Sequence, residues 1–183
     1  MKRALARRMS QEVTTLEGEI ERLHPASFSW ALACCRFRRQ EAEDVLQSAY
    51  LKVLDGGARY DGRSSVRTWL FAVIRKSALD ARRRRWLEVL GLGRWNHING
   101  VPTQGVVPEA VEAVAERQRR GRVLQALAEL PRRQREVLDL VFYHGMTIAE
   151  AAEVMGVSLG AARVHYDRGK RRLAREFALE DCS

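Results

Sequence analysis

Apolar residues recur at steps of three and four along most of this 183-residue chain, and this period constrains its fold more than any other feature. Between Glu41 and Asp55, one face of a helix would carry Ala42, Val45, Leu46, Ala49, Tyr50, Val53 and Leu54. Runs of strand length that alternate apolar and polar residues are missing. The sequence therefore predicts an all-α fold, with an amphipathic helix over this segment.

A second helix is predicted after the turn-like sequence Asp61-Gly62-Arg63. Ser64 or Ser65 is suited to cap its first turn, because a serine hydroxyl accepts a hydrogen bond from a free amide there. The apolar residues of this helix continue to Ala78, and four arginines, Arg82 to Arg85, follow. Basic residues in the last turn of a helix interact favourably with the helix dipole.

The middle of the chain is rich in residues that break helices: Gly91, Gly93, Gly100, Pro102, Gly105 and Pro108. Residues 1–87 carry a net charge of +8, residues 88–116 carry −3, and residues 117–183 carry +4. We therefore expect two small helical domains joined by a flexible linker. The predicted parts are a basic N-terminal tail (1–11), a first domain (12–87), an acidic linker (88–116) and a second domain (117–183). The tail is interpreted as a disordered end, with a DNA contact as the alternative.

The second domain has the pattern of a helix-turn-helix. Pro131 suits the start of a helix whose apolar stripe is Val137, Leu138, Val141 and Phe142. The sequence from Thr147 to Glu150 is a capping box that opens a short helix ending at Gly156, and Ser158 can cap the next helix. Small residues, Ala149, Ala151 and Ala152, would let the two helices approach closely. The last helix is basic, as expected of a helix that enters the major groove.

Composition excludes several other classes of protein. The net charge of +9 favours a nucleic-acid partner, and no apolar run is long enough for a membrane span or placed as a secretory signal. The three cysteines, Cys34, Cys35 and Cys182, form no pair with metal-ligand spacing, the histidines are scattered, and no phosphate-binding loop is present. We therefore expect a cytoplasmic protein without membrane insertion, enzymatic activity, metal or cofactor.

Two stretches of the chain resemble a known family in the expected order. They are residues 41–54 (EAEDVLQSAYLKVL) with 60–85 (YDGRSSVRTWLFAVIRKSALDARRRR), and residues 130–174, which contain the helix-turn-helix. The chain resembles a bacterial RNA polymerase sigma factor of the extracytoplasmic-function (ECF) type, the short form with the second and fourth conserved regions only. The resemblance implies a transcription initiation factor that binds core polymerase and promoter DNA, with an anti-sigma factor as a further partner.

The resemblance also assigns candidate residues. It places contacts to the polymerase, through the clamp helices of the beta-prime subunit with the beta subunit as a further partner, at Glu41, Asp44, Gln47 and Leu51. For the minus-ten element it implies Tyr60, Arg63, Arg67, Lys76, Arg82, Arg83, Arg84 and Arg85. For the minus-thirty-five element it implies Ser158, Arg163, His165, Arg168, Lys170 and Arg171. Lys76 and His165 depart from the Asn and Arg that the family often has at these positions.

Two points stay open at the level of sequence. Trp69 and Phe71 fit either the minus-ten surface or the hydrophobic core, and we expect Trp69 in the core because aromatic residues at helical spacing are usually buried. The alternative function is an autonomous helix-turn-helix regulator that binds duplex operator without polymerase. Such a regulator usually binds as a symmetric dimer, and no sustained heptad pattern for dimerisation is present.

Overall fold

A computed structural model describes the backbone of residues 2–90 and 114–180, and the side chains of residues 16–90 and 121–177. Within these ranges the secondary structure is entirely helical, as predicted. The α-helices are α1 (Lys2–Cys34), α2 (Arg39–Leu54), α3 (Val66–Val89), α4 (Val114–Glu129), α5 (Arg132–Leu138), α6 (Ile148–Met155) and α7 (Leu159–Glu180). A π-helical turn, Asp139–Tyr143, follows α5.

The first three helices form the N-terminal domain, in which α1, α2 and α3 all contact one another. Its centre is Trp30 of α1, which is fully buried and whose indole Nε1 donates a 2.9 Å hydrogen bond to the carbonyl oxygen of Phe71 in α3. The predicted cap at the start of α3 is Ser65, whose side chain accepts from the amide of Thr68 at 3.1 Å. The backbone of the predicted tail is helical from Lys2 onward, within α1.

The predicted helix-turn-helix is confirmed. Thr147 and Glu150 form both hydrogen bonds of the capping box at the start of α6. Gly156 then adopts φ 60°, the left-handed conformation that glycine tolerates best, and the chain turns into α7. The hydroxyl of Ser158 accepts from the amide of Ala161 at 3.2 Å, as expected for the cap of the second helix.

The apolar stripe predicted after Pro131 is only partly correct. Val137 and Leu138 are buried, but Phe142 is 65% exposed. The amide of His144 bonds to the carbonyl oxygen of Asp139, five residues back, so this turn is wider than an α-helical turn. The wider turn changes the direction of the side chains within it, including Phe142. Phe142 stacks on Tyr166 at the surface, with ring centroids 5.8 Å apart. Ala149, expected at the close approach of two helices, is also exposed, whereas Ala151 and Ala152 are buried.

The two domains pack against each other and share one continuous hydrophobic core. Helix α3 lies against α6, and α1 contacts α5 and the π-helical turn. The shared core contains Phe71 and Ile74 from the N-terminal domain and Val137, Ala151 and Met155 from the C-terminal domain. We call this packing the closed arrangement. The sequence predicted the two domains but not their contact.

Polar groups are also buried where the domains meet. Arg75 Nε of α3 donates to Glu136 Oε2 of α5 at 3.0 Å, and these side chains are 9% and 1% exposed. Arg135 Nε donates to the carbonyl oxygen of Ala33 at 3.0 Å. The ring of His144 inserts between the domains, with its centroid 4.8 Å from that of Phe71. The contact is therefore specified by directional bonds as well as by apolar burial.

Gly169 allows the close approach of α5 and α7. A Cβ atom added there would lie 2.8 Å from Leu138 Cδ1 and 3.3 Å from Gln134 Cβ. Leu138 is 1% exposed, so it has little room to move away. By contrast, a Cβ added at Gly160 of the same helix would meet no heavy atom within 4 Å.

We predict that Gly169→Ala lowers the free energy of unfolding by about 1–2 kcal/mol, because overpacking outweighs the helix propensity gained with alanine. Gly160→Ala is the matched control and should leave stability unchanged or raise it by up to about 1 kcal/mol. Urea-induced unfolding followed by circular dichroism measures both variants. Equal stability of the two variants would show that α5 and α7 are not in close contact at Gly169.

Candidate functional site

The predicted polymerase-binding residues lie along one strip of α2. Glu41, Asp44, Gln47 and Leu51 follow one another at three- and four-residue steps, so they share a face of the helix. Asp44, Gln47 and Leu51 are exposed, while Ala42, Val45, Leu46 and Ala49 on the other side are buried in the core. The strip continues to Leu54, which is 72% exposed although the sequence placed it on the apolar face. Leu54 comes three residues after Leu51, and this spacing alone could have placed Leu54 on the strip.

Glu41 is bonded within the domain and differs from the rest of the strip. Its carboxylate pairs with Arg38 at 2.6 Å, and it accepts two hydrogen bonds from Arg85, one of them of 2.7 Å. The hydrogen bond from Arg85 to Glu41 raises the pKa of Arg85, although partial burial opposes this. Glu41 and Arg85 were predicted on different surfaces, yet they link α2 to the end of α3.

The candidate minus-ten residues before α3 form an aromatic and basic surface. The rings of Tyr60 and Trp69 lie 5.3 Å apart, and the Tyr60 hydroxyl donates to the carbonyl oxygen of Ser64 at 2.6 Å. Trp69 is half-buried at the edge of the core, whereas Phe71 is fully buried within it. The side chain of Arg63 is 88% exposed. Of the two aromatics left open by the sequence, Phe71 is a core residue and Trp69 lies at the edge of the core.

Arg67 is engaged in the contact between the domains. Its guanidinium lies over the Phe71 ring, 5.5 Å from the centroid, and Nη2 donates to the carbonyl oxygen of His144. Lys76 and Arg82 to Arg84 remain exposed further along α3. The closed arrangement thus partly buries one predicted minus-ten residue, Arg67, and leaves the basic end of α3 accessible.

The candidate minus-thirty-five residues lie on α7, except Ser158, which caps it. Arg163, Arg168, Lys170 and Arg171 are exposed. Lys170 Nζ lies 5.3 Å from the centroid of the Tyr166 ring, a cation–π contact. His165 is half-buried, and its pKa is lowered by this burial and then by the positive charges of Arg133 and Arg168. This lowering of the pKa favours the neutral form of His165.

Residues predicted for the two promoter elements face a common cleft. Arg82 of α3 lines it opposite His165 and Arg168 of α7, and the cleft has a volume of about 530 Å³. Arg132 and Arg133 of α5 complete its walls. Local sequence does not distinguish these two arginines from the many other basic residues of the chain.

Two of the three cysteines, Cys34 and Cys35, lie among the described residues. Burial raises the pKa of Cys34 well above its usual value and that of Cys35 to about 12, so both stay protonated at neutral pH. Cys182 lies outside the described residues. In the described part of the chain, His, Cys, Asp and Glu form no cluster of three that could hold a metal ion. No helix in that part is long and apolar enough to cross a membrane.

Two family models match separate parts of the chain. The family model described as sigma-70 region 2 matches residues 20–88, and that described as sigma-70, region 4 matches residues 120–173. The ECF RNA polymerase sigma factor SigF of Caulobacter vibrioides is 31% identical over 146 residues, which are 77% of this chain and 73% of that protein. SigX of Bacillus subtilis, also an ECF sigma factor, is 29% identical over 144 residues, 77% of this chain and 73% of SigX.

Two solved structures share the fold. One is the sigma factor RpoE in complex with the anti-sigma factor NepR from Bartonella quintana, with a TM-score of 0.71 and 21% identity over 88% of this chain and 96% of that chain. The other is CnrH in complex with the cytosolic domain of CnrY, with a TM-score of 0.59 and 23% identity over 91% of this chain and 88% of that chain. The 31% identity to SigF and the matches to the two region models lead to one conclusion about the family. The chain belongs to the family of ECF RNA polymerase sigma factors.

Proposed function

We propose that this sigma factor, a promoter-specificity factor for core RNA polymerase, binds core through the exposed strip of α2 and recognises promoters with both of its domains. The N-terminal domain would recognise the minus-ten element and help to open the DNA, and α7 would recognise the minus-thirty-five element. One observation supports this proposal above all. The same chain has an accessible α2 strip and, in α7, a basic second helix of a helix-turn-helix.

The α2 strip has the composition of a protein interface. Two exposed leucines, Leu51 and Leu54, lie beside the polar Asp44 and Gln47. Apolar anchors flanked by polar groups are typical of binding surfaces, because the anchors supply burial and the polar rim supplies specificity. The strip is uncovered in the closed arrangement, so core polymerase can reach it without a prior conformational change.

Strand opening needs a surface that captures the separated strand. Losing stacking costs about 1.4 kcal/mol per base-pair step. Stacking of an unpaired base on an aromatic side chain returns about 1–3 kcal/mol, and Tyr60 with the half-buried Trp69 offers such a surface. Arg63 and Lys76 add positive charge for the phosphates. Because Lys76 replaces the family's usual Asn, we propose a phosphate contact at this position.

The exposed cations of α7 support recognition of duplex DNA. Arg163 and Arg168 can each form a bidentate contact to guanine, which is worth about 1–3 kcal/mol of discrimination between bases. Lys170 and Arg171 are placed for phosphates, which fix the register of the helix in the groove. His165 in its neutral form would contribute hydrogen bonding without charge.

Promoter binding requires the domains to separate. The two elements are about 25 base pairs apart, which is about 85 Å of duplex at about 3.4 Å per base pair. In the closed arrangement Arg82 and Arg168 line the same cleft. The 23 residues between Leu90 and Val114 can reach about 80 Å when extended, which is compatible with both domains occupying their elements. We further propose an anti-sigma partner, by analogy with the anti-sigma factor NepR in the RpoE structure, and a cytoplasmic location.

Run-off transcription tests the proposal directly. Purified core polymerase is incubated with a pool of genomic promoter fragments, with and without this protein, and the transcript starts are sequenced. We expect new starts, preceded by a shared pair of spaced motifs, only when the protein is present. Absence of new starts, together with tight binding of duplex DNA without core, would favour the autonomous regulator instead.

We predict that Asp44→Arg weakens binding to core polymerase at least about tenfold, because it reverses a charge at the centre of the α2 strip. Glu21→Arg, an equal charge change on exposed α1, is the control and should bind as the wild type does. Fluorescence titration of core with labelled protein gives the affinities. Equal affinity of the two variants would remove the α2 strip from the interface.

We predict that Arg163→Ala reduces promoter-specific initiation by about 5–150-fold, the loss expected for one bidentate base contact. Core binding should be unchanged because Arg163 is remote in sequence and fold from the α2 strip. Arg175→Ala removes an exposed cation further along α7 and should retain most of the activity. Loss of core binding in Arg163→Ala would contradict the assigned roles of the domains.

A further inference from the structure

We propose that the cleft between the two domains binds a small, free anion bearing several phosphate groups, and that this anion holds the factor in the closed arrangement. The inference goes beyond promoter recognition. It rests on the contact between the domains and on the charges that this contact brings together, and its test uses neither polymerase nor promoter.

The cleft carries positive charge that nothing in its walls neutralises. No acidic residue lines the 530 Å³ cleft, whereas Arg82, Arg132, Arg133 and Arg168 all do. Among the described residues, Arg82, Arg133 and Arg168 have no carboxylate partner. Three unpaired guanidinium groups and one paired group therefore face the same space.

A second cavity of about 330 Å³ lies beside the first and shares Arg82 and Arg132 with it. Two acids line this cavity, but both are already in ion pairs. Glu41 binds Arg38 and Arg85, and Glu136 binds Arg75 at 3.0 Å and lies 3.6 Å from Arg132. The neighbouring carboxylates thus leave the excess charge of the cleft unbalanced.

The excess charge comes from both domains. Arg82 belongs to α3, whereas Arg132 and Arg133 belong to α5 and Arg168 to α7. Burial lowers the pKa of Arg132 and Glu136 opposes this, while the nearby charges of Arg75, Arg82 and Arg133 lower it further. Like charges from the two domains repel across the cleft, so an anion between them would favour closure by binding only the closed arrangement.

The arginine side chains that line the cleft favour a phosphate ligand. A guanidinium group presents N–H donors in a planar fork that matches two oxygens of a phosphate, and several such forks favour a ligand with several negative charges. The cleft is open to solvent, and its volume of about 530 Å³ leaves room for several phosphate groups. A free oligophosphate compound fits this description better than one phosphate of a duplex backbone.

Isothermal titration of the full chain with tripolyphosphate tests binding. We expect one molecule per chain and an affinity that falls with added salt. Arg133→Gln should weaken binding at least fivefold, because Arg133 lines the cleft and is exposed, so its loss leaves the core intact. Arg175→Gln makes the same charge change outside the cleft and should stay within twofold of the wild type. Equal weakening in both variants, or several molecules bound per chain, would overturn the proposal in favour of general counterion binding.

Small-angle X-ray scattering tests closure. His144→Ala removes a side chain from the contact between the domains without touching the cleft, and we expect it to increase the radius of gyration. Tripolyphosphate should return this variant to the radius of the wild type, and should fail to do so when Arg133→Gln is added. Binding without compaction would overturn the proposal. Competition with tripolyphosphate by a short random duplex, with the same dependence on Arg133, would also overturn the proposal. The cleft would then be a nucleic-acid surface.

Discussion

The buried ion pair between Arg75 and Glu136 determines the geometry in which the two domains of the closed arrangement meet. Both side chains are almost fully withdrawn from water, and each belongs to a different domain. Removing one partner would leave a buried charge uncompensated, at a cost of about 3–5 kcal/mol. When the domains separate, however, both charges regain water together, so the intact pair adds little net free energy to closure. It fixes how the domains fit together, and the apolar core shared around His144 and Phe71 adds hydrophobic burial to the contact.

This division of roles makes the contact suitable for reversible opening. The α2 strip remains exposed while the domains are closed, but Arg67 is bonded to the other domain and Arg82 faces α7 across the cleft. Under the proposed function, core polymerase therefore binds to an accessible surface first, and the two promoter-binding surfaces can reach their widely spaced elements together only as the domains separate. The proposed oligophosphate site would act on the same equilibrium, because it exists only when both walls of the cleft are together.

Much of the fold could be predicted from local sequence. The capping box at Thr147 and Glu150, the cap at Ser65 and the buried face of α2 all depend on neighbouring residues, so periodicity and capping rules were enough. The exposure of Phe142 was missed because the π-helical turn breaks the 3.6-residue period on which the prediction rested.

The contact between the domains was missed for a different reason. Charged residues are usually exposed, and no local pattern marks Arg75, Arg135 or Glu136 as buried. Their burial arises from the meeting of helices that lie far apart in the chain. The arginine cleft follows from the same contact, so it was equally inaccessible to sequence reasoning, although most of the predicted promoter residues are exposed where the resemblance placed them.

Förster transfer between dyes on the two domains tests the account most directly. Dyes attached through genetically encoded azide side chains at Gln40 and Glu153, which are exposed on α2 and α6, leave the cysteines untouched. We expect one short distance between the two dyes in the free protein, and a longer distance once core polymerase and promoter DNA are bound. A long or broad distance in the free protein, or a short distance that persists in the promoter complex, would contradict it.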